Sequence, residues 1–510
     1  MRCNNSSRRG SIAITILAAA GAMTGCGGTA GSGEAVAGNM SASGAGASGK
    51  ATMATYTVSA TVTGLSGSGL TLELNGGQSQ AVAADGTVTF PSGLTSGSSY
   101  AVTVASQPTT PREICGVANG SGAIAQANVT SVAINCSIVI GFLYQTFQYS
   151  AAQQASDQPG QLLSYGISSG TGALVPFGSA LPTSPLPTAV VASPDKRFVI
   201  VSASSSTLSV YAVNYNTGAL TASSAVVTAD FNPNNMVMSG SFLFVSGPYL
   251  GTPALETYAL DETTGTLTPT GTPLTFDAQS GTSLAATPDG KFLYVLNGDF
   301  DSNTPAPVTL TAYAIDAASG ALTAGPVLTW MTTWSSTTAP QNAMTMDPLG
   351  RFLYLQSYQG NTIQQLSTVL PYAIDAARGA LTAIGTGTSI ASNAAPLAPD
   401  PTGRYLYTVD ELNSNNPFDN GILALAVGQS SGVVSQLGST LSLPGPNLIT
   451  CDPSGQFVYA TESGQATPSS PVVPALAVFT IGTAPSTAGQ LVPGAQTPSP
   501  GETSAMVIIE

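Results

Sequence analysis

The chain has 510 residues and a formal net charge of −14, with 11 Lys and Arg against 25 Asp and Glu. It contains no histidine, which excludes histidine general bases, Ser-His-Asp and Cys-His nucleophiles, and histidine metal ligands. So few cations also exclude nucleic-acid binding, which needs clustered Lys and Arg to neutralise phosphates. Only 7% of residues are charged while 43% are hydrophobic, a balance that suits an all-β exported protein with a substantial core.

The N-terminus opens with Arg2, Arg8 and Arg9, then an apolar stretch from Ile12 to Met23 and the sequence Thr24-Gly25-Cys26. The stretch is shorter than the ~20 apolar residues a membrane-spanning helix needs, so residues 1–26 read as a secretory signal. Met-Thr-Gly-Cys resembles the bacterial lipobox, although Leu is more usual at Met23. The resemblance implies that Cys26 becomes a lipidated N-terminus. Gly27, in place of Asp, implies sorting to the outer membrane; an ordinary signal cleaved nearby is the alternative. Residues 27–52 are rich in Gly, Ala and Ser and read as a flexible tether reaching on the order of 25–30 Å.

Residues 53–137 alternate apolar and polar positions between Gly-Gly, Asp-Gly and Ser-Gly turns, in segments such as TYTVSATVTGL and SYAVTVASQP. This pattern predicts about seven short antiparallel strands in a β-sandwich. The segment resembles the immunoglobulin-like modules of bacterial envelope lipoproteins. In an oxidising compartment Cys115 and Cys136 are expected to form a disulfide; two free buried thiols are the alternative. Cys451 has no intramolecular partner left and reads as a small buried hydrophobe.

From residue 138 onward the chain repeats. YGISSGTGAL starts at Tyr165, and related segments start at Tyr211, Tyr258, Tyr313, Tyr372, Leu425 and Phe479. A second element, typified by KFLYV, keeps step at Phe142, Phe198, Phe242, Phe292, Phe352, Tyr405 and Phe457. Five of these follow Pro-containing tight turns. Each unit therefore reads as four antiparallel strands, A to D, and seven units make a seven-bladed β-propeller over residues 138–510. The first unit lacks strand A, whereas the chain ends on a spare one, SAMVIIE. The C-terminal strand is expected to complete the first blade and close the ring.

The turn, FLYV and YAIDxxTGxL together resemble the lactonase-like seven-bladed propellers, some of which are 6-phosphogluconolactonases. That resemblance implies lactone hydrolysis, with His and Arg in the site. In a four-strand meander the A–B and C–D turns share one end of the ring, and here they are short. The B–C loops and D–A connections share the other end; they are long, and such loops usually carry binding. Lys196, Arg197, Lys291, Arg351, Arg378 and Arg404 all fall in the short turns. The missing His and the displaced Arg disfavour an anionic substrate. A neutral lactone leaves room for a carboxylate base, with Asp299, Asp301, Asp410 and Glu411 as candidates. Asp299-x-Asp301-x-Asn303 also has the spacing of half a calcium loop, without its glycine or closing Glu. Trp330, Trp334, Tyr249, Phe300, Tyr358 and Phe418 would form an aromatic binding face for a glycan or protein partner, unless the two Trp pack between blades. The preferred reading is a lipid-anchored envelope protein presenting a binding or scaffolding module, without a predicted cofactor. A divergent lactonase is the alternative.

Overall fold

The computed structural model describes residues 54–148, 159–223, 226–249, 252–276, 280–298, 306–332, 344–361, 364–391, 396–410, 420–462 and 474–510. Among them every regular element is a strand.

Residues 54–138 form two main sheets around one core, with a short two-stranded pairing of Thr55–Tyr56 and Leu94–Thr95 beside them. Gly86–Thr89, Val58–Thr63, the first half of Val129–Gln148 and Glu113–Ala118 make one sheet. Gln78–Val82, Leu70–Leu74, Ser99–Ser106 and Ser121–Ala123 make the other. The alternating residues Val58, Val62, Leu72, Val102 and Ile134 meet between them, with Phe90. One pairing departs from the expected antiparallel meander, because Val129–Gln148 runs parallel to Val58–Thr63. Alternation fixes which face a residue takes but not the direction of its neighbour. Cys115 and Cys136 lie opposite each other on neighbouring strands and form the disulfide.

The strand Val129–Gln148 is 20 residues long and belongs to both modules. Its first half completes the N-terminal sheet, and its second half is strand B of blade 1. The division at residue 137 thus falls inside one continuous strand. The junction is packed as well as continuous. Ile114 and Val139 enter the core shared by blades 1 and 2. The Arg112 guanidinium lies 4.9 Å from the Phe142 ring centroid and donates to the Tyr215 carbonyl at 3.2 Å. Tyr215 sits in the C–D turn of blade 2, so the N-terminal module docks on the short-turn end.

Seven blades follow one another, each a meander of strands A to D, with the outer strand in two pieces in blades 1, 2, 3 and 5. Their innermost strands are Glu502–Ile509, Pro187–Ala192, Asn235–Ser239, Ser280–Ala286, Met344–Met346, Leu397–Pro399 and Ile449–Cys451. Each touches the next, and the last touches the first. The C-terminal strand completes blade 1, pairing from Phe142↔Ile509 to Gln148↔Glu502. This closure leaves no open sheet edge at the seam.

The two repeated motifs turn out to be halves of one joint. The glycine of each C–D turn (Gly172, Gly218, Gly265, Gly320, Gly379, Gly432 and Gly489) has φ between +67° and +80°. A side chain there would fall under 3.0 Å from the strand-B aromatic of the preceding blade, as Gly218 does beneath Phe142 and Gly172 beneath Phe457. Only glycine satisfies both the backbone and the contact. In four joints a tyrosine two residues after that aromatic adds a hydrogen bond to the same glycine's carbonyl: Tyr144 to Gly218, Tyr294 to Gly379, Tyr407 to Gly489 and Tyr459 to Gly172, at 2.7–3.1 Å. The Asn or Asp of the motif caps the turn, as Asp316 does by accepting from the Ala318 and Ser319 amides.

The A–B turns use one device in two arrangements. In blades 2 and 4 a hydroxyl precedes the proline. Ser193 or Thr287 accepts from the Phe198 or Phe292 amide and donates to Asp195 or Asp289 two residues on. In blades 6 and 7 the two groups are exchanged. Asp400 or Asp452 precedes the proline, accepts from the Tyr405 or Phe457 amide, and takes the hydroxyl of Thr402 or Ser454. Blade 5 has Leu349 at the second place, and Arg351 supplies the missing donors to Asp347 at 2.7 and 3.0 Å.

Candidate functional site

The first residues of the innermost strands surround a cavity of about 290 Å³ on the propeller axis. Its wall comprises Thr188–Val191, Asn234–Met236, Met344–Thr345, Pro396–Leu397, Leu448–Thr450 and Ser504–Met506. These are the ends reached directly from the D–A connections, so the cavity lies toward the long-loop end. Among the described residues the lining is aliphatic, thioether, hydroxyl or carboxamide in character, and none of these carries a charge. Such a wall can hold a neutral molecule through hydroxyl and amide contacts, but it offers no counter-ion to a phosphate.

Hydroxyls on strand B hold this wall in place. Thr188 shares a hydrogen bond with Ser202 and donates to the Pro233 carbonyl, both at 2.8 Å. Thr461 accepts from the Asn447 and Leu448 amides. Thr146 bonds the Ser504 hydroxyl at 2.9 Å. Beside it the Gln145 amide donates to Ser499 and Thr503, anchoring the closing strand.

Polar atoms without a protein partner gather in the same half. Among the described residues they include Gln145 Oε1, Ser246 Oγ, Ser283 Oγ, Asn297 Oδ1, both amide atoms of Gln356, and Asn420 Oδ1. In the short-turn half of the propeller the corresponding atoms are Ser239 Oγ and Tyr354 Oη. Buried groups of this kind ordinarily pair with water or ligand.

Two buried carboxyls accompany them. Glu256 accepts from the Tyr258 hydroxyl and from the Asp230 amide at 3.2 Å. Glu462 accepts from the Gln496 amide at 2.6 Å. Burial raises the pKa of both. Glu462 ends a strand B on the long-loop side, as its place in the repeat implies. Glu256 is not among the residues that sequence reasoning singled out. The available signal is the repeat itself: two residues before the strand-C tyrosine, the other blades that have one carry Leu163, Ser209, Thr311 and Leu370.

Of the residues singled out from sequence, Cys26, Asp299, Phe300, Asp301, Asn303, Trp334, Glu411 and Phe418 lie outside the described residues. Asp410, Trp330 and Tyr358 are placed by their backbones, opposite Gly421, Val308 and Ser367 respectively. Tyr249 is half-buried against the core between blades 2 and 3. The six cations do lie in the short turns, but that end is not a cationic surface. Lys291 pairs with Asp289 at 2.9 Å and Arg351 with Asp347, and the turn-capping Asp261, Asp316 and Asp375 are exposed there too. Cys451 is half-buried rather than fully buried as expected, and its thiol donates weakly to the Ala398 carbonyl at 3.9 Å. Burial holds its thiol well above the ordinary pKa, which leaves it a poor nucleophile.

Residues 178–280 and 251–370 match the family model of the lactonase seven-bladed β-propeller. No curated protein matches the chain. Among solved structures, a 6-phosphogluconolactonase candidate from Bacteroides uniformis aligns at 19% identity and a TM-score of 0.54, over 72% of this chain and 99% of that one. A second candidate, from Bacteroides fragilis, aligns at 16% and 0.53, over 72% and 98%. The periplasmic gluconolactonase of Pseudomonas aeruginosa aligns at 17% and 0.52, over 72% and 99%. At these identities the likeness is one of fold: the chain carries a lactonase-like seven-bladed β-propeller.

Proposed function

We propose that this is a lipid-anchored protein of the cell envelope, in the outer membrane, that uses the long-loop end of its propeller to bind a neutral polar ligand. The carrying observation is the uncharged wall of the axial cavity. Its hydroxyls, carboxamides and thioethers suit a sugar, a glycan end or a peptide backbone, and its described residues offer a phosphate no cation. The partnerless amides and hydroxyls in the same half support a polar rather than a purely apolar ligand. The N-terminal module docks at the opposite end. Lipidation at Cys26 rests on the lipobox resemblance, and export is in keeping with the periplasmic gluconolactonase of like fold.

A second reading is favoured by the lactonase family match. A neutral sugar lactone bound in the cavity would be hydrolysed by water activated on a loop carboxylate, with Asp299, Asp301, Asp410 and Glu411 as the bases. Calcium held by Asp299, Asp301 and Asn303 belongs to the same loop chemistry. One experiment separates the readings. The chain from Met53 on is melted with a neutral lactone, a phosphorylated lactone, oligosaccharides or Ca²⁺, and lactone hydrolysis is followed in parallel. A ligand at 100 times its Kd stabilises by about 2.7 kcal/mol. We expect a neutral sugar compound to raise the melting temperature and its phosphorylated form to leave it unchanged. Lactone turnover that is lost in Asp410→Ala would make the protein an enzyme. A shift with the phosphorylated compound alone would overturn the neutral-ligand reading.

A further inference from the structure

Glu113, Cys115 and Cys136 meet beside the loop Ser66–Gly67 in the N-terminal module. Glu113 and Cys115 are alternate residues of one strand and share a face, and Cys136 lies across the ladder from Cys115. One carboxylate oxygen and the two sulfurs lie within 4.8 Å of one another. Glu113 is 0% exposed. Its Oε1 accepts from the Ser66 amide at 2.9 Å, whereas Oε2 has no partner. Gly67 packs so closely that a side chain there would lie 3.2 Å from Oε2.

A single amide contact does not account for a buried carboxylate, since a neutral Gln would accept it without the cost of burying charge. Two sulfurs and a carboxylate oxygen are instead a donor set for zinc. We propose that Glu113, Cys115 and Cys136 form a Zn²⁺ site in the dithiol form of the protein. A dithiol reductant delivers two electrons and two protons to the Cys115–Cys136 bond and is itself oxidised to a disulfide; with a phosphine, water supplies the two protons and the oxygen of the phosphine oxide, and in either case the bond breaks to two thiols. Zn²⁺ then displaces both thiol protons and bonds the two thiolates and Glu113 Oε2, with a fourth position for water. Ile114, between two of the ligands, packs into the propeller core. The two strands of the N-terminal sheet next to the junction thereby keep a cross-link in either redox state: a covalent bond when oxidised, a metal when reduced.

The test uses the full chain, reduced with a phosphine, desalted without oxygen and titrated with Co²⁺. The double variant Cys115→Ser/Cys136→Ser serves as the comparator and accounts for binding at Cys3, Cys26 and Cys451. The reduced wild type should take up one more equivalent than the comparator, with a thiolate-to-cobalt absorption band that Zn²⁺ abolishes. The oxidised wild type should show neither. Glu113→Gln should weaken the added equivalent about tenfold or more, and circular dichroism of its oxidised form checks the fold. If that variant does not fold, Glu113→Asp takes its place with the same expected loss. Equal uptake by reduced wild type and comparator overturns the site, and a loss under tenfold removes Glu113 from it.

Discussion

The two ends of the propeller handle buried polarity in opposite ways. At the short-turn end nearly every polar group is spoken for by another part of the chain. Asp452 alone accepts from the Ser454, Gln456 and Phe457 amides and the Ser454 hydroxyl. At the long-loop end Gln356 is wholly buried with both amide atoms unpaired, and Glu256 and Glu462 are held as buried acids. The short-turn end is a lock repeated seven times, whereas the long-loop end keeps polar capacity that the protein itself does not use.

The lock fails most severely where it has no covalent help. Deleting residues 502–510 removes the closing strand and exposes the edge Phe142–Gln148, so we expect a loss of about 5 kcal/mol or more, read as a large fall in melting temperature. An unchanged melt would mean that blade 1 stands without its inner strand. Gly218→Ala strikes a single joint. Its left-handed φ of +68° costs an alanine ~1–2 kcal/mol, and overpacking against Phe142 adds ~1–3 more. Asp452→Thr should cost about 2 kcal/mol, because it leaves amides of the turn unpaired. Adding Ser454→Asp rebuilds the arrangement of Thr287 and Asp289 and should restore most of that loss. If the double variant is no better than the single one, the two turn arrangements are not interchangeable.

The same residues indicate what could be read from sequence. The seven units, the four-strand meander and the closing strand were all legible, because period-2 alternation and glycine placement are local signals. That the glycine of one motif lies under the aromatic of the other was not, since Gly218 and Phe142 belong to different blades. The turns were recognised by their Pro and Gly, which hid the exchange of Asp and hydroxyl across the proline. Direction is likewise invisible to alternation, hence the parallel pairing in the N-terminal module. The neutral cavity wall has no signature in the sequence, because it is built from apolar and hydroxyl residues of the innermost strands that look like any other strand residues. Glu256 was readable only by setting the blades against one another.

Polar deletions at the long-loop end should carry the opposite sign. Gln356→Met keeps the volume, removes two unpaired buried atoms and leaves the side chain on the strand position opposite Val369. We expect it to stabilise by about 1 kcal/mol. Its counterpart Tyr294→Phe, which breaks the bond to Gly379, should destabilise by about the same amount. Denaturant midpoints of the two variants sharpen the comparison, and a shared sign would break it.

The smallest expected effect is the most specific. Burial raises the Glu256 pKa above its ordinary value, the nearby Asp230 charge adds to this, and the Tyr258 hydroxyl partly opposes it. Folding therefore favours the protonated acid. Its contribution is fully present below the unfolded carboxyl pKa of about 4.3 and is lost as pH rises through the folded value. Glu256→Gln mimics the protonated form at every pH. The variant should consequently melt close to wild type at pH 4 and above it at pH 7, the gap opening as Glu256 ionises. Glu462 titrates in the same direction in both proteins and cancels from the difference. A gap that stays constant with pH would show that the Tyr258 hydroxyl and the Asp230 amide compensate the buried charge fully. Glu256 would then belong with the saturated turns of the opposite end rather than with the unspent polarity around the cavity.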